Sequence, residues 1–213
     1  MARLTPDRIV SAAIGVIGEV GFEQFSVRKL GDALEADPTA IYRHFRSKDA
    51  LLRAMGDRGL AGVTDDLPTS SWRDCIRELC VRIRVANLAQ PALAALVRGA
   101  PPRHRNELLI TETMLAELHR AGFDTATAAQ AYHALIELTI GSATIDAPIA
   151  SMAPWERDQA YAEWRSDYAA LDPQTFPHAV AMAASLYPGT ADGRFAFALD
   201  RLLGGLGCGS LGP

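Results

Sequence analysis

The sequence predicts an all-α protein, a small three-helix head over about residues 1–46 followed by a larger helical body over 47–213. Three observations carry that reading. Apolar residues recur at three- and four-residue spacing in one segment after another. No run of β-branched residues alternates for long enough to propose a sheet. Glycine and proline fall between the periodic segments and mark their ends. With 49% apolar residues in 213, the chain has enough hydrophobic material for a globular protein of one or two domains.

The first helix starts at Thr5-Pro6-Asp7, a capping residue, a first-turn proline and an acid at the positive end of the dipole. Ile9, Ala12, Ala13, Val16, Ile17 and Val20 make its apolar face, and Gly21 ends it. Phe22 and Phe25 are expected to pack beneath the next two helices. Ser26 caps a short helix with Val27, Leu30 and Leu34 on one side. Glu35-Ala36 carries the chain to Asp37-Pro38, a cap followed by a proline at the first helical position. The next helix, Thr39 to His44, has about two turns and cannot stand alone. Ile41 and Phe45 anchor it inward and leave Thr39, Tyr42, Arg43 and His44 outside. Ser47 caps a longer helix with Leu51, Leu52 and Met55 inward, expected to run to about Val63 and to weaken at Gly56, Gly59 and Gly62.

In the body, a loop at Leu67–Ser71 precedes a helix from Trp72 to about Ala89, read with Arg73, Arg77 and Arg84 on its outer side. Pro91 opens a short helix to Arg98, and Gly99-Ala-Pro-Pro closes it. A helix from about Arg103 to Arg120 ends at Gly122. Asp124 caps a long helix to about Ile145, apolar on most sides and so buried. Residues 148–188 are the least regular, with one helix starting at Pro154-Trp155-Glu156 and another over Thr175–Leu186. The last helix runs from about Asp192 to Leu206.

Two short helices joined by a tight turn, the second with a polar outer face, fit a helix-turn-helix, which lays its second helix in the major groove. The residues that carry this reading, Ser-Val-Arg-Lys-Leu at 26–30, Ala-Ile-Tyr-Arg-His-Phe at 40–45 and Ser-Lys-Asp-Ala-Leu-Leu at 47–52, resemble the DNA-binding domain of the tetracycline-repressor (TetR) family of one-component regulators. The usual leucine-alanine and glycine-valine-serine elements stand here as Leu30-Gly31 and Glu35-Ala36-Asp37. The ending Phe-Ala-Phe-Ala-Leu-Asp-Arg-Leu-Leu-Gly-Gly-Leu is similar to the last helix of many TetR-type proteins. The resemblance implies a homodimer in which the helices over about 124–146 and 192–206 form a four-helix interface.

Candidate DNA contacts follow from this placement. Pro38 starts the groove-facing helix. Thr39 and Arg43 suit base edges, arginine being matched to guanine. Ser26, Arg28, Tyr42, His44 and Lys48 suit phosphates; the plainer alternative is an ordinary polar surface helix. Net charge is −4, but residues 1–53 hold eight bases against seven acids, leaving −5 on the remainder. Trp72, Leu79, Met114, Leu118, Tyr132, Trp155 and Trp164 are candidates to line a pocket for a hydrophobic or aromatic effector, or simply to pack the core. His133 and Glu137, four apart, read as a polar spot in that pocket or at an interface rather than as metal ligands. No metal or cofactor is expected.

Other function classes find less support. No nucleophilic triad spacing is present, and Gly205-x-Gly207-x-Gly209 lacks the strand and helix of a dinucleotide fingerprint. Three cysteines, with Cys75 and Cys80 pointing apart on one helix, suit a reducing cytoplasm. Neither a signal peptide nor a membrane span is expected. The expected partners are therefore a double-stranded DNA operator, a small-molecule effector and a second copy of the chain. An effector-independent DNA-binding protein and an all-α enzyme or carrier are the alternatives.

Overall fold

A computed structural model describes residues 3–97, 103–187 and 190–207, and among them the fold is entirely helical. The head comprises α1 (Pro6–Val20), a single 3-10 turn (Phe22–Gln24), α2 (Val27–Leu34) and α3 (Pro38–Tyr42), with α4 (Lys48–Arg58) leading out of it. The body comprises α5 (Trp72–Ala89), α6 (Pro91–Val97), α7 (Arg105–Arg120), α8 (Thr125–Ala150), α9 (Pro154–Ala169), α10 (Pro177–Leu186) and α11 (Ala191–Gly205).

The expected caps form. Thr5, Ser26, Asp37, Ser47 and Asp124 each accept a backbone N–H of the helix that they precede, and Ser71, read only as the end of a loop, does the same for α5. Three helix ends differ from expectation, the first being α3, which stops at Tyr42 rather than His44. α4 stops at Arg58 rather than near Val63, because Gly59 closes it and Gly62 turns the chain at φ 79°. α8 runs past Ile145 to Ala150 with Pro148 inside it. A proline costs a helix one N–H, and one turn from the C-terminus that loss is small; Ser151 repairs the end by donating its backbone N–H to the Ala147 carbonyl at 3.2 Å. The end of the short helix near Arg98 and the Gly99–Pro102 stop lie outside the described residues.

Two apolar cores hold the chain together. In the head, Ile9, Val10, Ala13 and Val16 of α1 meet Phe25, Leu30 and Leu34, with Ile41 of α3 and Leu51 and Met55 of α4. Leu93 of α6 joins this cluster, so the body reaches into the head. Phe25 packs as expected, while Phe22 stays half-buried outside the cluster. In the body, α5 is the central rod: Ile76, Leu79, Cys80 and Ile83 pack against Met114 and Leu118 of α7, Ala131 and Leu135 of α8, and Phe195, Leu199 and Leu203 of α11. Each Val, Leu, Ile, Phe or Met side chain among them contributes about 1.5–3 kcal/mol when fully buried. Cys75 and Cys80 are buried and unbridged, and burial pushes the Cys80 thiol up to about 11. α9 and α10 pack chiefly on each other.

Arg84 is the main correction in the body. It is 3% exposed rather than on the outer side of α5. It continues the stripe of Ile76 and Cys80 at four-residue spacing, and Asp146 of α8 neutralises it there at 2.7 Å.

Candidate nucleic-acid interface and its link to the body

The presentation of α3 begins with the way α2 ends. Glu35 sits in the left-handed region at φ 51°, its N–H donating to the Asp32 carbonyl, while the Ala36 N–H reaches back to the Gly31 carbonyl at 2.9 Å. This paired closure is a Schellman ending built on a non-glycine residue. Gly31 makes it possible: a Cβ there would lie 2.8 Å from the Ala36 carbonyl oxygen and 3.4 Å from the Pro38 ring. The turn therefore folds directly against α2, and Pro38 starts α3 at close range.

α3 is five residues long and is held from both ends. Asp37 accepts from the Thr39 N–H at 2.7 Å and from the Thr39 hydroxyl at 2.5 Å. Those two bonds, the hydroxyl first, hold the Asp37 carboxyl below its ordinary range, and Arg43 acts in the same direction. Ile41, 1% exposed, pins the helix to the core. Thr39, Tyr42, Arg43 and His44 all face solvent. Lys48, at the start of α4, donates from Nζ to the Phe25 carbonyl at 3.1 Å. Its ammonium is thereby held at the residue before the Ser26 cap of α2, with one of three donors used. Arg28, Thr39, Tyr42, Arg43, His44 and Lys48 are thus exposed on the head, with Ser26 and Pro38 partly so.

The head is tied to the body through the last turn of α4. Asp57 is 8% exposed and lies against the N-terminus of α7. Its carboxylate accepts the Glu107 backbone N–H and the Asn106 side-chain amide, each at 2.9 Å, and its carbonyl accepts the same amide. A carboxylate from one helix thereby caps another, where the free N–H groups and the helix dipole both favour an anion. Arg58 adds an ion pair to Asp7 of α1 at 2.7 Å. Sequence reasoning missed Asp57 because cap signals are local, and this cap comes from 50 residues away.

The body also holds an open-sided groove of about 530 Å³, walled by α5, the end of α8 and the start of α11. On the other side of the same turns of α5, Ala86 and Asn87 face Gly56 and Gly59 of α4.

Comparison with known proteins settles the family. Residues 9–55 match the family described as bacterial regulatory proteins, tetR family, and residues 64–208 match the tetracyclin repressor-like C-terminal domain. The chain belongs to the TetR family. Its relatives include an HTH-type transcriptional regulator of Saccharopolyspora erythraea, 36% identical over 146 residues, a match that covers 67% of this chain and 61% of that protein. The tetracycline repressor protein class G of Vibrio anguillarum is 27% identical over 96% of this chain and 94% of its own. Among solved structures, the Streptomyces coelicolor TetR family protein ActR in complex with actinorhodin superimposes with a TM-score of 0.83 at 25% identity, covering 96% of this chain and 97% of that one. TetR-family regulators are DNA-binding proteins rather than enzymes, and the fold found here is theirs.

Within this TetR-family body, the residues expected to line a pocket or pack the core divide: Trp72, Leu79, Met114, Leu118 and Tyr132 meet in the body core, while His133, Glu137, Trp155 and Trp164 lie outside it. Leu79, Met114 and Leu118 are fully buried in the core. Trp72 is edge-on to Phe123 with ring centroids 5.5 Å apart, and the Tyr132 hydroxyl bonds to Thr111 at 3.0 Å. His133 and Glu137 face solvent on α8, and Trp155 is 67% exposed. Trp164 packs edge-on to Tyr161 and tilted against Tyr187 beside the α9–α10 pair. Hydrophobicity selected these side chains, and most of that hydrophobicity is spent on packing. The groove uses Val81, Arg84, Val85, Leu88 and Phe195 instead, none of them foreseen. One signal was present in the sequence: Asp146 is an acid near the end of a helix whose one other charged residue is Glu137, and when buried it needs a cationic partner. No group of three or more metal-ligating side chains occurs among the described residues. Nor is any helix there long and apolar enough to cross a membrane.

Proposed function

We propose that this TetR-family regulator is a homodimeric repressor, divided into a DNA-binding head and an effector-binding, dimerising body, which holds operator DNA through α3 of both protomers and releases it when a small hydrophobic or aromatic molecule enters the body. The observation that carries the reading is the pairing of an outward-facing α3 with the Asp57 cap on α7. Thr39 and Arg43 meet base edges, and Ser26, Arg28, Tyr42, His44 and Lys48 meet phosphates, with Pro38 setting the start of the helix.

The dimer is formed by α8 and α11. Ile145 is 78% and Phe197 65% exposed on these helices, an apolar cost that a second copy removes. His133 and Glu137, on the outer side of α8, fall at the polar part of that interface. Two heads then stand about 34–36 Å apart, or a multiple, to reach major grooves on one face of the duplex. The class G relative is named a tetracycline repressor and the ActR structure holds actinorhodin, which supports a ring-bearing effector here.

Release follows from the shared walls. A molecule in the groove presses on the last turns of α5, which face α4 across a small shared pocket, and α4 cannot shift without its Asp57 cap on α7. To move the equilibrium from 1:99 to 99:1 the effector must prefer the released state by about 10⁴-fold. The test is a gel shift with DNA from upstream of the protein's own gene against scrambled DNA of equal length. A saturable, sequence-dependent shift is expected; equal binding to both would overturn the proposal.

A further inference from the structure

The groove is apolar except at one edge, and that edge is unusual. Arg84 is almost wholly buried, yet it belongs to the groove wall. Its Nε donates to the Ser142 hydroxyl at 3.2 Å, Nη2 to Asp146 at 2.7 Å and Nη1 to Asp192 at 2.5 Å. The guanidinium lies 5.1 Å over the Phe195 ring. Its two acidic partners are not equivalent. Asp146 is buried and cannot leave without stranding a charge. Asp192 is 79% exposed in its side chain and leans in from solvent at the first turn of α11.

A second arginine makes the imbalance larger. Arg194 also donates to Asp146, at 3.2 Å, and to the Tyr161 hydroxyl at 3.4 Å. Its Nη1 is buried with no acceptor. Two guanidinium groups therefore share one buried carboxylate, and the site becomes net positive if Asp192 swings into water. A cation drawn by Asp192 would have to sit beside both arginines, which Coulomb repulsion opposes.

From this we propose that the groove takes a small organic anion. Its carboxylate occupies Arg84 Nη1 in place of Asp192, and its apolar body lies against Val81, Val85, Leu88 and Phe195. Arg84 is suited to the task because a planar guanidinium receives a carboxylate in fixed geometry and is pre-set by Ser142, Asp146 and the Phe195 ring. Asp192 acts as an internal stand-in, keeping the buried charge paired while the groove is empty. This deepens the effector reading above and rests on it for its biological meaning, but not for its test.

The experiment is calorimetric titration of the full-length protein with 2-naphthoate, its neutral isostere 2-naphthamide and the cation 2-naphthylmethylammonium, with no DNA present. Wild type is expected to bind naphthoate saturably and more tightly than the other two. Asp192→Asn removes the competing carboxylate and should tighten naphthoate by about tenfold while moving naphthamide by less than about twofold. Since Asp192 is exposed, this variant keeps the fold. The double variant Arg84→Gln/Asp146→Asn, which leaves no buried acid unpaired because Asp192 is exposed, should lose the preference for the anion. Naphthoate affinity unchanged or weakened by Asp192→Asn would overturn the proposal, as would tighter binding of the cation. So would the absence of any naphthoate binding, the outcome expected if a second copy fills the groove. Should naphthoate bind as described and leave operator affinity unmoved, the anion site stands and the effector reading is the one that fails.

Discussion

The hydroxyl of Thr39 is committed before DNA arrives: its proton goes to Asp37, so toward a base it presents lone pairs and a methyl group. Donation at the groove therefore falls to Arg43. The same contact makes the head sensitive to acid. The Asp37 carboxyl titrates lower folded than at its ordinary value of 3.8, so its contribution is complete above that pH and is lost as pH falls through the depressed value. Asp37→Asn keeps a capping oxygen without the charge; the melting temperature of wild type should exceed that of the variant at pH 7, and the gap should close below pH 3.8, read by circular dichroism. Lys48→Ala should lower the slope of log affinity against log salt by about one per protomer and leave sequence preference intact. An unchanged slope would assign Lys48 only to the Phe25 carbonyl. Residues such as Ser26, Asp37 and Ser47 were legible in the sequence because capping is decided within three positions. Arg84 was not, since its partners Ser142, Asp146 and Asp192 lie 58, 62 and 108 residues away.

Helix types and most helix starts were legible too, whereas ends and joints depended on contacts that no periodicity reports. The α2–α3 joint shows why. Replacing the expected glycine by Glu35 would strain the turn alone, but the missing Cβ at Gly31 lets the turn close against α2. Gly31→Ala should cost about 1–3 kcal/mol from overpacking against a backbone oxygen, offset by about 1 kcal/mol of better helix propensity, for a net loss measurable by urea unfolding. No loss would mean that the turn has room to move. The α4–α7 joint makes a different demand. Asp57→Ala leaves the Glu107 N–H and Asn106 amide without their acceptor, a cost of about 1–3 kcal/mol. Amide exchange at Glu107 should quicken with it. If Asp57 is the coupling contact, the variant also binds operator with less dependence on any molecule held in the body.

For the whole molecule, the acidic body and the faintly basic head mean that affinity for DNA comes from a few placed cations and not from overall charge. Placement in turn needs two copies. Ile145→Asp with Phe197→Asp should leave a folded monomer, seen as a halved mass in analytical ultracentrifugation, with operator binding weakened at least about tenfold. A double variant that still dimerises would move the interface elsewhere. The exposed apolar surface of α8 and α11 is a property of single helices, but the groove could not be anticipated, because it exists only where three distant helices meet. The central claim is that α3 enters the major groove twice. Hydroxyl-radical footprinting on the operator tests it most directly. Two protected patches on one face of the duplex, about 34–36 Å apart or a multiple, both lost in Arg43→Ala, are predicted. A single patch, or a pair that survives Arg43→Ala unchanged, would contradict it.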